Sequence, residues 1–202
     1  MFSAIPLSVP VLRGNEWRYV KDCLDSGWVS SVGKYVDRFE EMICDLTGAG
    51  YAVACASGTA ALQVALELAG VEAGDEVIVP TVTFIAPVNA VRYVRAEPVF
   101  MDCDAFYNID AEKTVRFLKE ETRFRNGETF NKRTGARIRA VLPVHVFGNA
   151  ADLAGLVGIC ADRNIKVVED AAESLGTVYK TGPFKGRHTV TVGVPCWAAT
   201  CV

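Results

Sequence analysis

The sequence predicts an α/β fold built on a mostly parallel sheet covered by helices, and two observations carry that expectation. Short, nearly continuous apolar runs at 51–56, 76–80, 98–103, 138–146 and 165–169 alternate with helical patterns at 59–69, 86–94, 111–121 and 151–163. Runs of that kind belong to strands buried on both faces, and their alternation with helices is the pattern of parallel strands joined by crossovers. Half of the 202 residues are hydrophobic, enough for one good-sized core, or one domain with an appendage.

In chain order, residues 5–12 are extended and punctuated by proline. A helix is expected after Asn15, with Trp17, Val20, Cys23 and Leu24 on one face, closing at Ser26-Gly27. A second is expected from Lys34 to Leu46, with Tyr35, Phe39, Met42 and Ile43 at helical spacing, ending at Gly48 and Gly50. The strand and helix alternation then begins at Tyr51. Residues 116–139 interrupt it with eight Lys/Arg against three Glu, which reads as a solvated excursion or as a nucleotide-phosphate contact. The tail from Val190 to Val202 is free of charge and sustains neither a strand nor a helix period.

Composition narrows the function classes. A net charge of −3 gives no global case for nucleic-acid binding. No run approaches the roughly 18 apolar residues of a membrane span, and the first residues carry no basic or long apolar signal. Seven cysteines without a CxxC pair fit a reduced cytoplasmic compartment, with neither a disulfide framework nor a metal cluster.

The residues able to carry chemistry follow strands, where ligands bind in such sheets. Ser57-Gly58-Thr59 opens a helix after the run 51–56. Helix starts leave backbone N–H groups unpaired and favour negative charge, so this turn is either a simple cap or a phosphate cradle. Phe84, in the turn after 76–80, either joins the core or stacks on a planar ligand. Asp170, at the end of 165–169, either caps the next turn or faces a cation such as a protonated pyridine ring. His145 is either a satisfied core histidine or a hydrogen-bonding group of the site; His188 has no comparable setting. A phosphate cradle, a stacking aromatic and a carboxylate at the ends of different strands are the parts that hold pyridoxal phosphate.

An ordered set of motifs extends this reading. Ile5-Pro6-Leu7-Ser8, the run from Ser26 to Gly33, Ala56-Ser57-Gly58-Thr59-Ala60-Ala61-Leu62, Gly74 to Pro80, Thr83-Phe84-Ile85-Ala86, Pro143-Val144-His145 and Glu169-Asp170-Ala171-Ala172-Glu173-Ser174 occur in that order. As a set they resemble the DegT/DnrJ/EryC1/StrS family of pyridoxal-phosphate-dependent sugar aminotransferases. The wording at Gly27–Ser31 and Asp170–Ser174 is similar to the subgroup acting on UDP-linked 4-keto-6-deoxy-N-acetylhexosamines.

The resemblance implies the large domain of a fold type I transferase over 51–189. It places a helical segment, 1–50, packed on that domain, and leaves 190–202 as an aberrant tail without the family's small C-terminal domain. It also implies roles: Ser57, Gly58 and Thr59 on the cofactor phosphate, Phe84 on the ring, Asp170 on the ring nitrogen and Glu173 near the ring hydroxyl. Trp28, Ser30, Ser31 and His145 would approach a nucleotide sugar, with an amino donor such as glutamate and a homodimeric assembly. The lysine that the family joins to its cofactor follows the Asp170 motif, after a Ser-Phe pair. Here the pattern is followed to Thr189 and then lost, as a frame shift or premature end would produce. The expectation is cofactor binding without useful transamination. An alternative is a non-catalytic subunit that pairs with a full-length aminotransferase. A dinucleotide-binding enzyme is disfavoured, since no G-x-G-x-x-G follows the first strand.

Overall fold

The computed structural model describes residues 5, 9–190 and 196–199. The centre of the molecule is a five-stranded sheet in the order β2-β1-β5-β6-β7, formed by Glu97–Met101, Glu76–Pro80, Ile138–Val141, Lys166–Asp170 and Cys196–Ala199. All four pairings are parallel, as nearly unbroken apolar strands require.

Helices cover both faces. Toward α3 (Gly58–Leu68) and α4 (Ile85–Tyr93), strand residues Val77, Val79 and Val168, with Leu142 just after Val141, meet Leu62, Leu66 and Val91 in one buried cluster. Toward α5 (Ala111–Glu120) and α6 (Ala154–Asp162), Ile78, Ile138, Val141 and Val167 meet Leu118, Leu156 and Cys160 in another. Successive residues of β1 thus alternate between two cores, the period-two geometry of a strand sandwiched by helices.

Connectivity sets which helix ends meet which strand ends. The C-terminus of α3 lies a short link before the start of β1, so its N-terminus lies at the carboxyl edge of the sheet. The crossover α4, between parallel β1 and β2, is oriented the same way. The amino edge is closed by a polar network. Arg137 donates from Nε and a terminal nitrogen to both carboxylate oxygens of Asp75 at 2.8 and 2.7 Å, and to Glu128 at 2.8 Å and Glu72 at 3.0 Å. The Asp75 carboxylate raises the affinity of that guanidinium for its proton, and Glu128 adds to the effect. Buried Glu76 accepts from Asn131 and Thr134, each at 2.7 Å.

The first two helices stand where the sequence places them, α1 at Glu16–Ser26 and α2 at Lys34–Thr47, ending at Gly27 and Gly48. Yet α1 buries no residue and α2 buries only Thr47. Their apolar faces line an open groove of about 550 Å³ that includes Tyr19, Leu24, Val29, Phe39 and Met42.

Three expectations are corrected. The apolar run 51–56 is not a strand: it pairs with no strand among the described residues, and Tyr51 and Val53 are exposed. A strand needs a neighbour's ladder as well as apolar side chains. The charged excursion contains an antiparallel hairpin, β3 (Thr122–Arg125) with β4 (Glu128–Asn131), turned at Asn126-Gly127. In the tail, β7 adds a fifth parallel strand alongside β6. The motif residues Pro6, Leu7 and Ser8, and tail residues 191–195 and 200–202, lie outside the described residues.

Candidate cofactor site at the carboxyl edge

The helix start at Ser57 has the geometry of an anion cradle. Ser57 is the extended N-cap of α3, and its hydroxyl oxygen accepts from the Ala60 N–H at 3.2 Å. Its carbonyl accepts from the Ala61 N–H. The N–H groups of Gly58 and Thr59 donate no hydrogen bond among the described residues. Two free donors at the positive end of a helix are suited to a phosphate.

At the turn after β1, Phe84 caps α4 and leaves 79% of its surface exposed. Beside it, the Thr83 hydroxyl is enclosed and finds no partner among the described residues. An orphaned polar atom in a native site calls for an explanation, and a ligand is one.

Asp170 ends β6 and is buried. One carboxylate oxygen accepts from the Ala172 N–H at 3.1 Å, and no ion pair reaches it among the described residues. Burial pushes its carboxyl above the ordinary carboxylate value. The Ala172 N–H and the proximity of His145 work against that shift, and nearby Glu173 adds to it. A buried carboxylate short of partners favours a cationic or proton-bearing group.

Glu173 is exposed, and its carboxylate accepts from the Phe147 N–H at 2.7 Å. That bond holds the turn after β5, where Phe147 takes a left-handed backbone with φ 54°. Next to it Gly148, at φ 78°, lies so close to the Glu173 carbonyl oxygen that an added Cβ would sit 3.0 Å from it. The two loops are sewn together edge to edge.

His145 does not present a nitrogen to a ligand. It is fully buried, with Nε2 2.9 Å from Glu169 Oε2 and Nδ1 accepting from the Ala151 N–H at 3.0 Å. Its expected place against a nucleotide sugar is therefore corrected to the core, since both ring nitrogens are already used. Trp28 is half exposed and lies over Gly33, whose missing Cβ would fall 2.0 Å from the indole nitrogen. Ser30 and Ser31 are exposed beside it. No hydrogen bond or ring contact joins these three to the strand ends among the described residues.

Sequence reasoning missed Thr83 as a site residue and the Glu169–His145 pair. Thr83 stood in the quoted motif beside Phe84, and Glu169 beside Asp170, but an enclosed hydroxyl or a buried pair is visible only in three dimensions. The residues present fit pyridoxal phosphate: amides for the phosphate and a buried carboxylate, all without a partner ion or acceptor among the described residues, and an exposed ring to cover a planar group. No His, Cys, Asp and Glu cluster suited to a metal occurs among the described residues. No helix among them is long and apolar enough to cross a membrane.

Comparison with known proteins identifies the family. Residues 10–193 match the model of the DegT/DnrJ/EryC1/StrS aminotransferase family. The GDP-perosamine synthase of Caulobacter vibrioides is 38% identical over 94% of this chain and 50% of its own length. Among solved structures, S. venezuelae DesV is similar at a TM-score of 0.73 and 30% identity, over 92% of this chain and 45% of that one. The PLP-form of Spr1654 from Streptococcus pneumoniae is similar at a TM-score of 0.75 and 25% identity, over 94% and 47%. The chain spans about half the length of the curated relatives it matches.

Proposed function

Since the chain belongs to the DegT/DnrJ/EryC1/StrS aminotransferase family, we propose that it holds pyridoxal phosphate at the carboxyl edge of its sheet. We further propose that the protein it represents aminates a nucleotide-linked 4-keto-6-deoxy sugar. The observation that carries the reading is Asp170, a buried strand-end carboxylate with one main-chain donor and no cation among the described residues. When bound, the cofactor supplies an electron sink for removing a proton next to an amino group.

The chain's own residues would do the rest. Gly58 and Thr59 would donate their main-chain N–H groups to the phosphate, with Ser57 holding the helix start in place. Phe84 would cover the ring and exclude water from one face. Asp170 would keep a proton on the ring nitrogen, the condition for the ring to accept electrons. Thr83 would donate its orphaned hydroxyl to the bound group. Glu173 would act at the ring hydroxyl with its other carboxylate oxygen, while Oε2 accepts the Phe147 N–H.

Two of the curated relatives are named for a GDP-linked product, while two motifs resemble the UDP-sugar subgroup. The proposed substrate is therefore the keto-sugar on either nucleotide. Glutamate is the proposed amino donor, and two copies of the chain the proposed assembly. Lys180 and Lys185, the two lysines after Asp170, are exposed. The 202-residue polypeptide is accordingly proposed to bind cofactor without turnover.

Titrating the purified chain with pyridoxal phosphate, followed by its absorbance and fluorescence, tests the proposal. Saturable binding is expected, competed by inorganic phosphate and weakened about tenfold in Asp170→Asn, as for loss of a charged hydrogen bond. Unchanged affinity in that variant would sink the assignment. Amination of a UDP- or GDP-linked keto-sugar by the polypeptide alone would refute the absence of turnover.

A further inference from the structure

We propose that the buried His145–Glu169 pair is a positioning device for Asp170; this rests on the reading of Asp170 as the partner of the ring nitrogen. His145 and Glu169 are both 0% exposed, and neither has a role in the site as described. His145 Nδ1 accepts the Ala151 N–H at 3.0 Å. A nitrogen that accepts carries no proton, so the ring proton is on Nε2 and is donated to Glu169 Oε2 at 2.9 Å.

The same residue also grips Asp170. The His145 main-chain N–H donates to the Asp170 carbonyl at 3.1 Å, and the Asp170 N–H donates to the Pro143 carbonyl at 2.9 Å. One residue thus holds two consecutive positions of β6, the first by its ring and the second by its backbone. Adjacent strand residues point to opposite faces. Fixing the Glu169 side chain on one face therefore fixes the direction in which Asp170 leaves the other.

Stability alone does not call for this pair. Well-packed apolar side chains of similar volume stabilise a core as well as a buried polar pair, or better. A hydrogen-bonded pair adds direction: a fixed tautomer, a fixed ring plane and a fixed strand end. Holding a carboxylate to its productive geometry is what a supporting shell does for a site.

The test compares two ligands on the full 202-residue chain: pyridoxal phosphate, and its deaza analogue with carbon in place of the ring nitrogen. Only the first can engage Asp170 through that nitrogen. Glu169→Leu removes the bond to Nε2, and His145→Asn removes it from the other side while keeping the main-chain donor to Asp170. Each is expected to weaken pyridoxal phosphate about tenfold and to leave the deaza analogue within about twofold. Glu169→Gln, which keeps an acceptor oxygen for Nε2–H, is expected to restore wild-type affinity.

Equal weakening of both ligands would show that the pair merely supports the fold and would overturn the inference. Unchanged affinity for both would overturn it as well. A wild-type chain that binds neither ligand overturns the cofactor reading itself, and this inference with it. Because His145→Asn retains the main-chain bonds, it keeps the comparison available if Glu169→Leu fails to fold.

Discussion

The two edges of the parallel sheet are built on opposite terms. At the amino edge, the Arg137 guanidinium meets three carboxylates, and the buried Glu76 carboxylate has a donor for each oxygen. At the carboxyl edge, Asp170 has one main-chain donor, the Thr83 hydroxyl has none among the described residues, and Phe84 stands in solvent. Buried polar groups left short of partners cost stability. A fold keeps such groups where a ligand will complete them, and pairs them fully where none will come.

The contrast can be broken most severely at the amino edge. Arg137→Ala leaves Asp75 buried without its cation and is expected to cost about 3 kcal/mol, read as a lower urea midpoint at unchanged slope. If the midpoint holds, the network is ornamental and the contrast fails.

A smaller loss is expected where the carboxyl-edge loops meet. Gly148→Ala combines a left-handed backbone with a Cβ pressed toward the Glu173 carbonyl oxygen. It is expected to cost about 1–2 kcal/mol in equilibrium unfolding, and an unaltered stability would show that the loops yield freely.

The third change has the opposite sign. Burial raises the pKa of Asp170 in the folded state above its ordinary 3.8. The stability linked to its protonated form is complete below that ordinary value and is lost as pH rises through the folded one. Asp170→Asn is therefore expected to melt higher than wild type at neutral pH, and the two curves to converge below about pH 3.8. Melting scans across pH check this. A variant less stable at neutral pH would mean that Asp170 is satisfied in the free chain and not held in reserve for a ligand.

Most of this architecture was legible in the sequence because helix periods and apolar runs are local. The six α-helices among the described residues lie within a few residues of their expected positions, and Gly27 and Gly48 end the first two as expected. Pairing is not local, and the misreadings are of that kind. Tyr51–Ala56 has strand composition without a ladder, and Cys196–Ala199 has a ladder without a readable period. The hairpin carried a usable signal, since Asn126-Gly127 between short runs is a two-residue turn with both φ positive. Its flanking arginines directed attention to charge instead. Ser57 as a cap and Asp170 at a strand end followed from sequence. The capture of both His145 nitrogens depends on Glu169 and Ala151, which no spacing rule brings together.

The unpaired run from Tyr51 to Cys55 also governs how this polypeptide behaves in bulk. It is apolar, with Tyr51 94% and Val53 80% exposed, and among the described residues only its Ala54 N–H is pinned, by Glu40 at 2.8 Å. Extended apolar backbone of this kind is a template onto which another chain's strand adds. Improvements to the core would leave that template in place, because it lies outside the sheet.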